Sequence, residues 1–415
     1  MTNVDDIQGY GRKFDNQLSK LADADIDEND RQAIERFIRH EDAQDDVNTG
    51  TMVSHLNRLR LSAERADVPL VEMELEDVDV FLSRLKREYD LSEGTRRNYR
   101  KALRVFFRWR GVDWAEDIKI GASPKRSVDP NDLLSDEEIK SLLEAAGNPR
   151  DKALVALLDD TGLRIGAIGS LRIGDLEFGE RTATIHINED ANVKDASGPK
   201  PLTWSRGYVA NWLDMHPRAD DPNAALMHKI ERWSDDEDGA LTQQYLSRRI
   251  KLIAERADLD TDRVHTHLFR KTAISRWIRE DMSEQVIKHR VDWAKDSQQF
   301  ETYSGVRDEE MNDQILEHYD IVEPSEERSK KLETCPVCHA ALRGGELFCP
   351  GCATPITDQA SETSEQLQSS ARDYLVDEQD TSKRSAAANV VDAAENDPEL
   401  ASALAKEFQR LAGND

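Results

Sequence analysis

The sequence predicts a mainly α protein with a small β-sheet: an N-terminal helical domain, a mixed α/β domain, a four-cysteine ribbon and a polar tail. Three observations carry this. Apolar residues recur at helical spacing through residues 1–120 and again after residue 133, while a single stretch, Thr182 to Asn188, alternates instead. Ile120 to Asp132 carries two prolines, a glycine and no apolar periodicity, which marks a linker. All four cysteines fall between Cys335 and Cys352. The expected domains are 1–127, 128–322, 330–356 and 357–415.

In the first domain, Leu75 to Tyr89 places Val78, Phe81, Leu82 and Leu85 on one helical face. Ser92 is a predicted N-cap for a helix running through Trp109, with Tyr99, Leu103, Phe106 and Phe107 as its buried stripe. Arg96, Arg100, Arg104 and Arg108 recur on another face, flanked by Arg97 and Lys101. Such a stripe is either a solvated face or a phosphate-contacting surface, and six bases on one helix of so acidic a chain favour the second.

The 415 residues hold 56 Lys and Arg against 83 Asp and Glu, a net charge of −27. Phosphate neutralisation needs cations, so this balance argues against nucleic acid unless the bases are concentrated on one face. Strong salt removes the conflict, because at 1 M the Debye length is about 3 Å and an acidic surface no longer repels itself. The acidic excess with low aromatic content resembles that of halophile proteins and suggests a haloarchaeal source. No run of eighteen apolar residues occurs, and the first residues lack an apolar signal segment; a cytoplasmic protein without a membrane partner is expected.

The second domain opens on Ser135-Asp-Glu-Glu138, a capping box, and turns at Gly147-Asn-Pro149 between two helices. Ala183, Ile185 and Ile187 share one face of the predicted strand, and Ala191 to Thr203 returns as the second arm of a hairpin with a flexible tip. Helical patterns resume near Val209 and from Leu241 to Arg256.

Cys335-x2-Cys338-x10-Cys349-x2-Cys352 fits a closed tetrahedral shell of four thiolates around structural zinc, with Pro336 and Gly351 in tight turns. His339 is surplus to that shell. The ribbon could bind DNA, bind a protein partner or brace the tail. Residues 357–385 are rich in Ser, Gln, Asp and Glu and read as disordered; Leu400, Leu404, Phe408 and Leu411 suit a final helix that docks on a partner or stays in solvent.

Two pieces bear the chemistry: Thr161-Gly-Leu-Arg164 and, about a hundred residues later, His267-x-x-Arg270 followed by Trp293 and Tyr303. Two guanidiniums suit a phosphoryl group gathering negative charge, and a tyrosine oxygen can attack it if assisted, since a free phenol titrates near pH 10. A lysine on a mobile hairpin can protonate the leaving oxygen. The order and spacing resemble the tyrosine recombinases, or phage-type integrases.

That resemblance implies an N-terminal core-binding (SAM-like) domain and an α/β DNA breaking-rejoining catalytic domain, closing together around double-stranded DNA, with four protomers on two duplexes. It implies Arg164 and Arg270 as phosphate clamps, His267 as base or hydrogen-bond partner, and Trp293 in a place often held by histidine. It further implies Tyr303 as nucleophile and Lys194 as general acid, with Lys200 as competitor. No metal enters that chemistry, so removing zinc is expected to leave cleavage intact. Two positions depart from the pattern: Ala167 replaces a usual glutamate and Lys271 a usual histidine. The activity implied is site-specific recombination through a 3′-phosphotyrosyl intermediate. The alternatives are a catalytically weak or inactive DNA- and partner-binding relative, and a DNA-relaxing enzyme with the same chemistry.

Overall fold

A computed structural model describes residues 3–44, 47–122, 128–189, 191, 197–303, 311–313, 315–317, 319, 321, 332–362, 364–365 and 389. The chain forms two compact units, one of residues 8–126 and one of residues 1–7 with 127–415.

The smaller unit is helical: α1 (Tyr10–Ala22), α2 (Glu28–Ala43), α3 (Thr49–Arg65), α4 (Leu75–Glu88) and α5 (Glu93–Trp109). Ser92 caps α5 as its sequence predicts, its Oγ accepting from the Thr95 amide at 3.2 Å. The apolar stripe of α5 is buried, and the rings of Phe37 and Phe106 meet edge to face at 5.6 Å. Buried Asp30 of α2 accepts the amides of Leu70 and Val71, both at 2.8 Å, which pins the α3–α4 connection to the core.

In the larger unit α6 (Asp136–Ala145) starts on the Ser135/Glu138 capping box, with both reciprocal bonds formed. Asn148 caps α7 (Pro149–Thr161), which is buried along its length except at Lys152. After α8 (Ile165–Gly169), strands β1 (Leu176–Phe178), β2 (Ala183–His186) and β3 (Pro199–Leu202) form an antiparallel sheet in that order. The two arms of the hairpin are as predicted, and most of its tip lies outside the described residues; β1 is an addition, three residues too short and too exposed to show alternation. Pairing of Ile185 with Lys200 and of Ala183 with Leu202 turns Lys200 and Leu202 to the buried side. Helices α9 (Ser205–Asp214), α10 (Gln243–Arg256), α11 (Thr266–Arg279) and α12 (Glu284–Arg290) follow in the same unit.

The division differs from expectation: the larger unit takes in the first seven residues at one end and the cysteine ribbon and tail at the other. Val4 and Ile7 are buried, the Val4 amide donates to Asp238 at 2.8 Å, Asp5 pairs with Arg172 at 2.8 Å, and the Ile7 carbonyl accepts from Gln243. These partners lie some 170 to 240 residues away in the chain, beyond the reach of any local pattern. The predicted disordered stretch falls largely, and the terminal helix wholly, outside the described residues. No helix among the described residues is long and apolar enough to cross a membrane.

Candidate active site and cysteine cluster

The site is built on the last turn of α7. Gly162 ends that helix at φ 61°, and a Cβ there would sit 2.9 Å from the Trp277 ring, so the reversal needs glycine. Two residues later Arg164 stands at the N-cap of α8. Opposite, α11 carries His267 in its first turn and Arg270 one turn on. Arg270 is 3% exposed and its fork spans two main-chain oxygens, Gly162 at 2.9 Å and Val291 at 2.7 Å. Trp293 lies beside it, 5.6 Å from guanidinium carbon to ring centre, and the Tyr303 ring is 6.0 Å from that of Trp293. Tyr303 closes a 3₁₀ turn from Gln298, anchored where the Val128 amide donates to Thr302.

The electrostatics follow from burial and crowding of cations. Burial pushes the Tyr303 phenol up to about 12, with Arg270 opposing. His267 keeps exposed surface, yet burial of the rest of the ring, then the charges of Arg270, Lys271, His265 and Arg164, push it down to about 4. The imidazole is therefore neutral at neutral pH. Arg270 is lowered to about 10, by burial first and then by Arg164; it remains charged. Arg164, His267, Arg270, Trp293 and Tyr303 thus form one electrostatically coupled group. Ala167 is buried in α8, and the carbonyls of Gly162 and Val291 orient Arg270.

Lys194 lies outside the described residues. Lys200 does not: it is 2% exposed, its Nζ 2.8 Å from Asp292 Oδ1 and 2.8 Å from the His289 carbonyl. It lines, with Lys288, His289, Asp292, Trp293 and Lys295, a cavity of about 870 Å³. Sequence reasoning missed Asp292 and two acids of α7. Asp160 accepts from Thr203, Ser205 and Arg290, and Asp159 accepts from Arg276 at 2.7 Å. The Asp-Asp pair just before Thr161-Gly162 was the available signal.

In the smaller unit the basic stripe of α5 is partly occupied. Arg104 and Arg108 both pair with Glu116, Arg96 donates to the Leu91 carbonyl at 2.5 Å, and Arg97 to that of Gly121 at 3.3 Å. Arg100 and Lys101 have no ion-pair partner among the described residues.

The cysteines converge. Cys335 and Cys352 sulfurs are 3.6 Å apart, those of Cys338 and Cys349 3.5 Å, and all four lie within 4.8 Å of one another. Tetrahedral zinc with Zn–S bonds of about 2.3 Å needs sulfurs about 3.8 Å apart, close to these spacings. The two turns repeat one hydrogen-bond pattern. The amides of Val337 and Gly351 point at Cys335 and Cys349 sulfurs, and those of His339 and Ala353, both at φ 58°, bond the Cys335 and Cys349 carbonyls. Strands β4 (Glu333–Thr334) and β5 (Ala341–Leu342) pair beside the first turn.

Residues 132–310 match the model of the phage integrase family. The chain is 28% identical over 120 residues to tyrosine recombinase XerA of Pyrococcus furiosus, covering 28% of this chain and 41% of that protein. It is 24% identical over 220 residues to tyrosine recombinase XerC 2 of Ralstonia nicotianae, covering 50% of this chain and 60% of that one. Among solved structures, a lambda integrase dimer bound to a COC′ core site aligns at TM-score 0.49 and 13% identity, over 74% of this chain and 79% of that one. The chain spans between 27% and 65% of the length of the curated relatives it matches.

Proposed function

We propose, taking residues 132–310 as a segment of the phage integrase family, that the protein is a site-specific recombinase that cuts and rejoins double-stranded DNA through a 3′-phosphotyrosyl intermediate. The observation that carries this is the convergence of Arg164, His267, Arg270, Trp293 and Tyr303 from separate segments onto one point.

The chemistry follows from the group. Tyr303 Oη attacks phosphorus, forming the O–P bond as the bond to the 5′-oxygen breaks. With a phenol near 12, tyrosinate is scarce at neutral pH, so the proton must leave during attack. Neutral His267 would serve as its acceptor or as a hydrogen-bond partner to the phosphate. Charge on the non-bridging oxygens meets Arg164 and Arg270, and the Trp293 indole N–H can donate one further bond. Lys194 protonates the leaving 5′-oxygen. Attack by a second 5′-hydroxyl on the phosphotyrosyl bond reverses these transfers and rejoins the strand.

The basic stripe supplies phosphate contacts through Arg96, Arg97, Arg100, Lys101, Arg104 and Arg108. Four protomers on two duplexes would complete exchange, and light scattering showing one protomer per duplex would refute that assembly. Cys335, Cys338, Cys349 and Cys352 would hold structural zinc, which would cross-link the ribbon. The acidic surface suits work at molar salt in a halophilic cytoplasm.

The test is a nicked oligonucleotide whose cleavage releases a short strand and traps the covalent complex. Wild type should accumulate adduct, and Tyr303→Phe should bind the same DNA and form none. Adduct persisting in Tyr303→Phe would remove Tyr303 from the chemistry.

A further inference from the structure

The ribbon does not hang from the larger unit; it is seated on it. Gly207, in the first turn of α9, faces Gly351 between the last two cysteines. A Cβ on Gly207 would lie 3.0 Å from Pro350 Cγ and 3.2 Å from the Gly351 amide, and one on Gly351 would lie 3.3 Å from Gly207 Cα. Glycine on both bodies lets the two backbones touch.

Next to this contact the ribbon extends Arg343. The loop that bears it is fixed from within, since the amides of Arg343 and Gly344 both donate to the Glu346 carboxylate, at 2.9 and 2.8 Å. Its guanidinium stacks 5.4 Å from the Trp204 ring centre and reaches Asp136 Oδ1 at 2.8 Å. Its Nε reaches Asp159 Oδ2 at 3.3 Å. Asp159 is wholly buried, and the same Oδ2 accepts from Arg276 of α11 at 2.7 Å, while Oδ1 has no hydrogen-bond partner among the described residues. A buried carboxylate so placed depends on each cation it has.

The consequence lies three residues on. Helix α11 is tied to the last turn of α7 at two points, Arg276 on Asp159 and Arg270 on the Gly162 carbonyl. The first tie shares its acceptor with the ribbon; the second holds the proposed phosphate clamp. We infer that Arg343 is a positioning residue: the folded, metal-bound ribbon uses it to complete the Asp159 site, and so fixes the register of α11 that aims Arg270. Metal binding and ribbon folding are one event in so small a module. The ribbon then reports its loaded state to the cleavage site, whereas a merely appended ribbon would leave cleavage intact when zinc is lost. The catalytic part of this inference rests on the recombinase reading above; the mechanical part does not.

The experiment uses the full zinc-loaded chain and three variants: Arg343→Ala, Arg343→Lys, and Gly207→Val, which disturbs seating without touching a charge or a cysteine. Zinc content, DNA affinity, hydrogen exchange in α11 and the single-turnover rate of adduct formation are measured for each. Arg343→Ala and Gly207→Val should retain one zinc per chain and wild-type DNA affinity, exchange faster in α11, and form adduct slower on the order of ten- to a hundredfold, as expected of a reacting group moved by a fraction of an ångström to an ångström. Arg343→Lys, which keeps the charge, should recover part of the rate. Should Arg343→Ala lose its metal, Gly207→Val decides alone. Fast exchange in the ribbon of Gly207→Val, with α11 and the adduct rate unchanged, would overturn the coupling. If wild type forms no adduct at all, the recombinase reading fails instead, and exchange in α11 by itself decides whether the ribbon braces that helix.

Discussion

Exchanging Lys200 for methionine separates two lysines that the sequence leaves as rivals for one proton. The strand register turns Lys200 inward, and its ammonium bridges Asp292 and the His289 carbonyl with side-chain exposures of 3% and 7% for the ion pair. Asp292 sits at φ 52°, its Oδ1 pairs with Lys200, and its Oδ2 has no hydrogen-bond partner among the described residues. Methionine fills the stem's volume and leaves that carboxylate buried alone, which costs about 3–5 kcal/mol when one member of a buried pair is removed. Denaturant midpoints at molar salt should fall accordingly, and Lys200→Met with Asp292→Asn should regain most of the loss. Lys194→Met should instead lose adduct formation by roughly 10²–10⁴, the usual range for a general acid. Replacing the leaving 5′-oxygen of the substrate by sulfur makes a leaving group of much lower pKa, which needs no proton. That substrate should restore Lys194→Met. Restoration of Lys200→Met and not of Lys194→Met would move the general acid to Lys200 and refute its assignment as a structural cation.

Three further outcomes are expected. Glu116→Gln frees Arg104 and Arg108, so DNA binding should tighten and the slope of log K against log salt should steepen by about 0.9 per added phosphate contact; an unchanged slope would make the stripe a solvated face. His267 should titrate near pH 4 by NMR in the free protein, and because its folded pKa lies below the ordinary 6.5, its stability contribution is complete above 6.5 and is lost as pH falls towards 4; a midpoint at 6 or higher would contradict the combined effect of burial and crowding by cations. Tyr303 is raised to about 12, so the unfolded chain ionises first, and stability should hold below pH 10 and decline towards 12 by at most about 3 kcal/mol; the same decline in Tyr303→Phe would assign it elsewhere.

What could be read from the sequence was what local physics decides. Ser92 and the Ser135/Glu138 box cap the helices they announce, because a cap needs only an oxygen three residues from an amide. The four cysteines announce their cluster for the same reason, each pair closing its own turn. What stayed hidden depends on partners distant in the chain. Lys200 looks like any hairpin lysine until Asp292 arrives from beyond α12. Arg343 looks like a turn residue until Asp159 lies beneath it. The basic stripe is legible as a face of α5, but its partial neutralisation requires the 3₁₀ turn carrying Glu116 to fold back onto it. Arg270 is recognisable by its spacing from His267, whereas the carbonyls that orient it belong to Gly162 and Val291, residues with no side-chain signal at all.

The distribution of charge inside the larger unit reconciles a net charge of −27 with the phosphate site proposed above. Around the site, Arg276, Arg290 and Lys200 are each matched to an acid, Asp159, Asp160 and Asp292. Arg270 differs in that it donates to the carbonyl oxygens of Gly162 and Val291, which orient the guanidinium without cancelling its charge. Arg164 pushes on that charge, and on His267, at close range. On the proposed reading, a phosphate entering between them would gain the attraction to both arginines and relieve their mutual repulsion. That gain is realised at contact and in partial burial, where salt screens little, while long-range repulsion by the acidic surface fades beyond about 3 Å at 1 M salt. High salt therefore removes the barrier to approach and leaves the grip, so that cleavage should survive salt concentrations at which loosely held surface contacts have been lost.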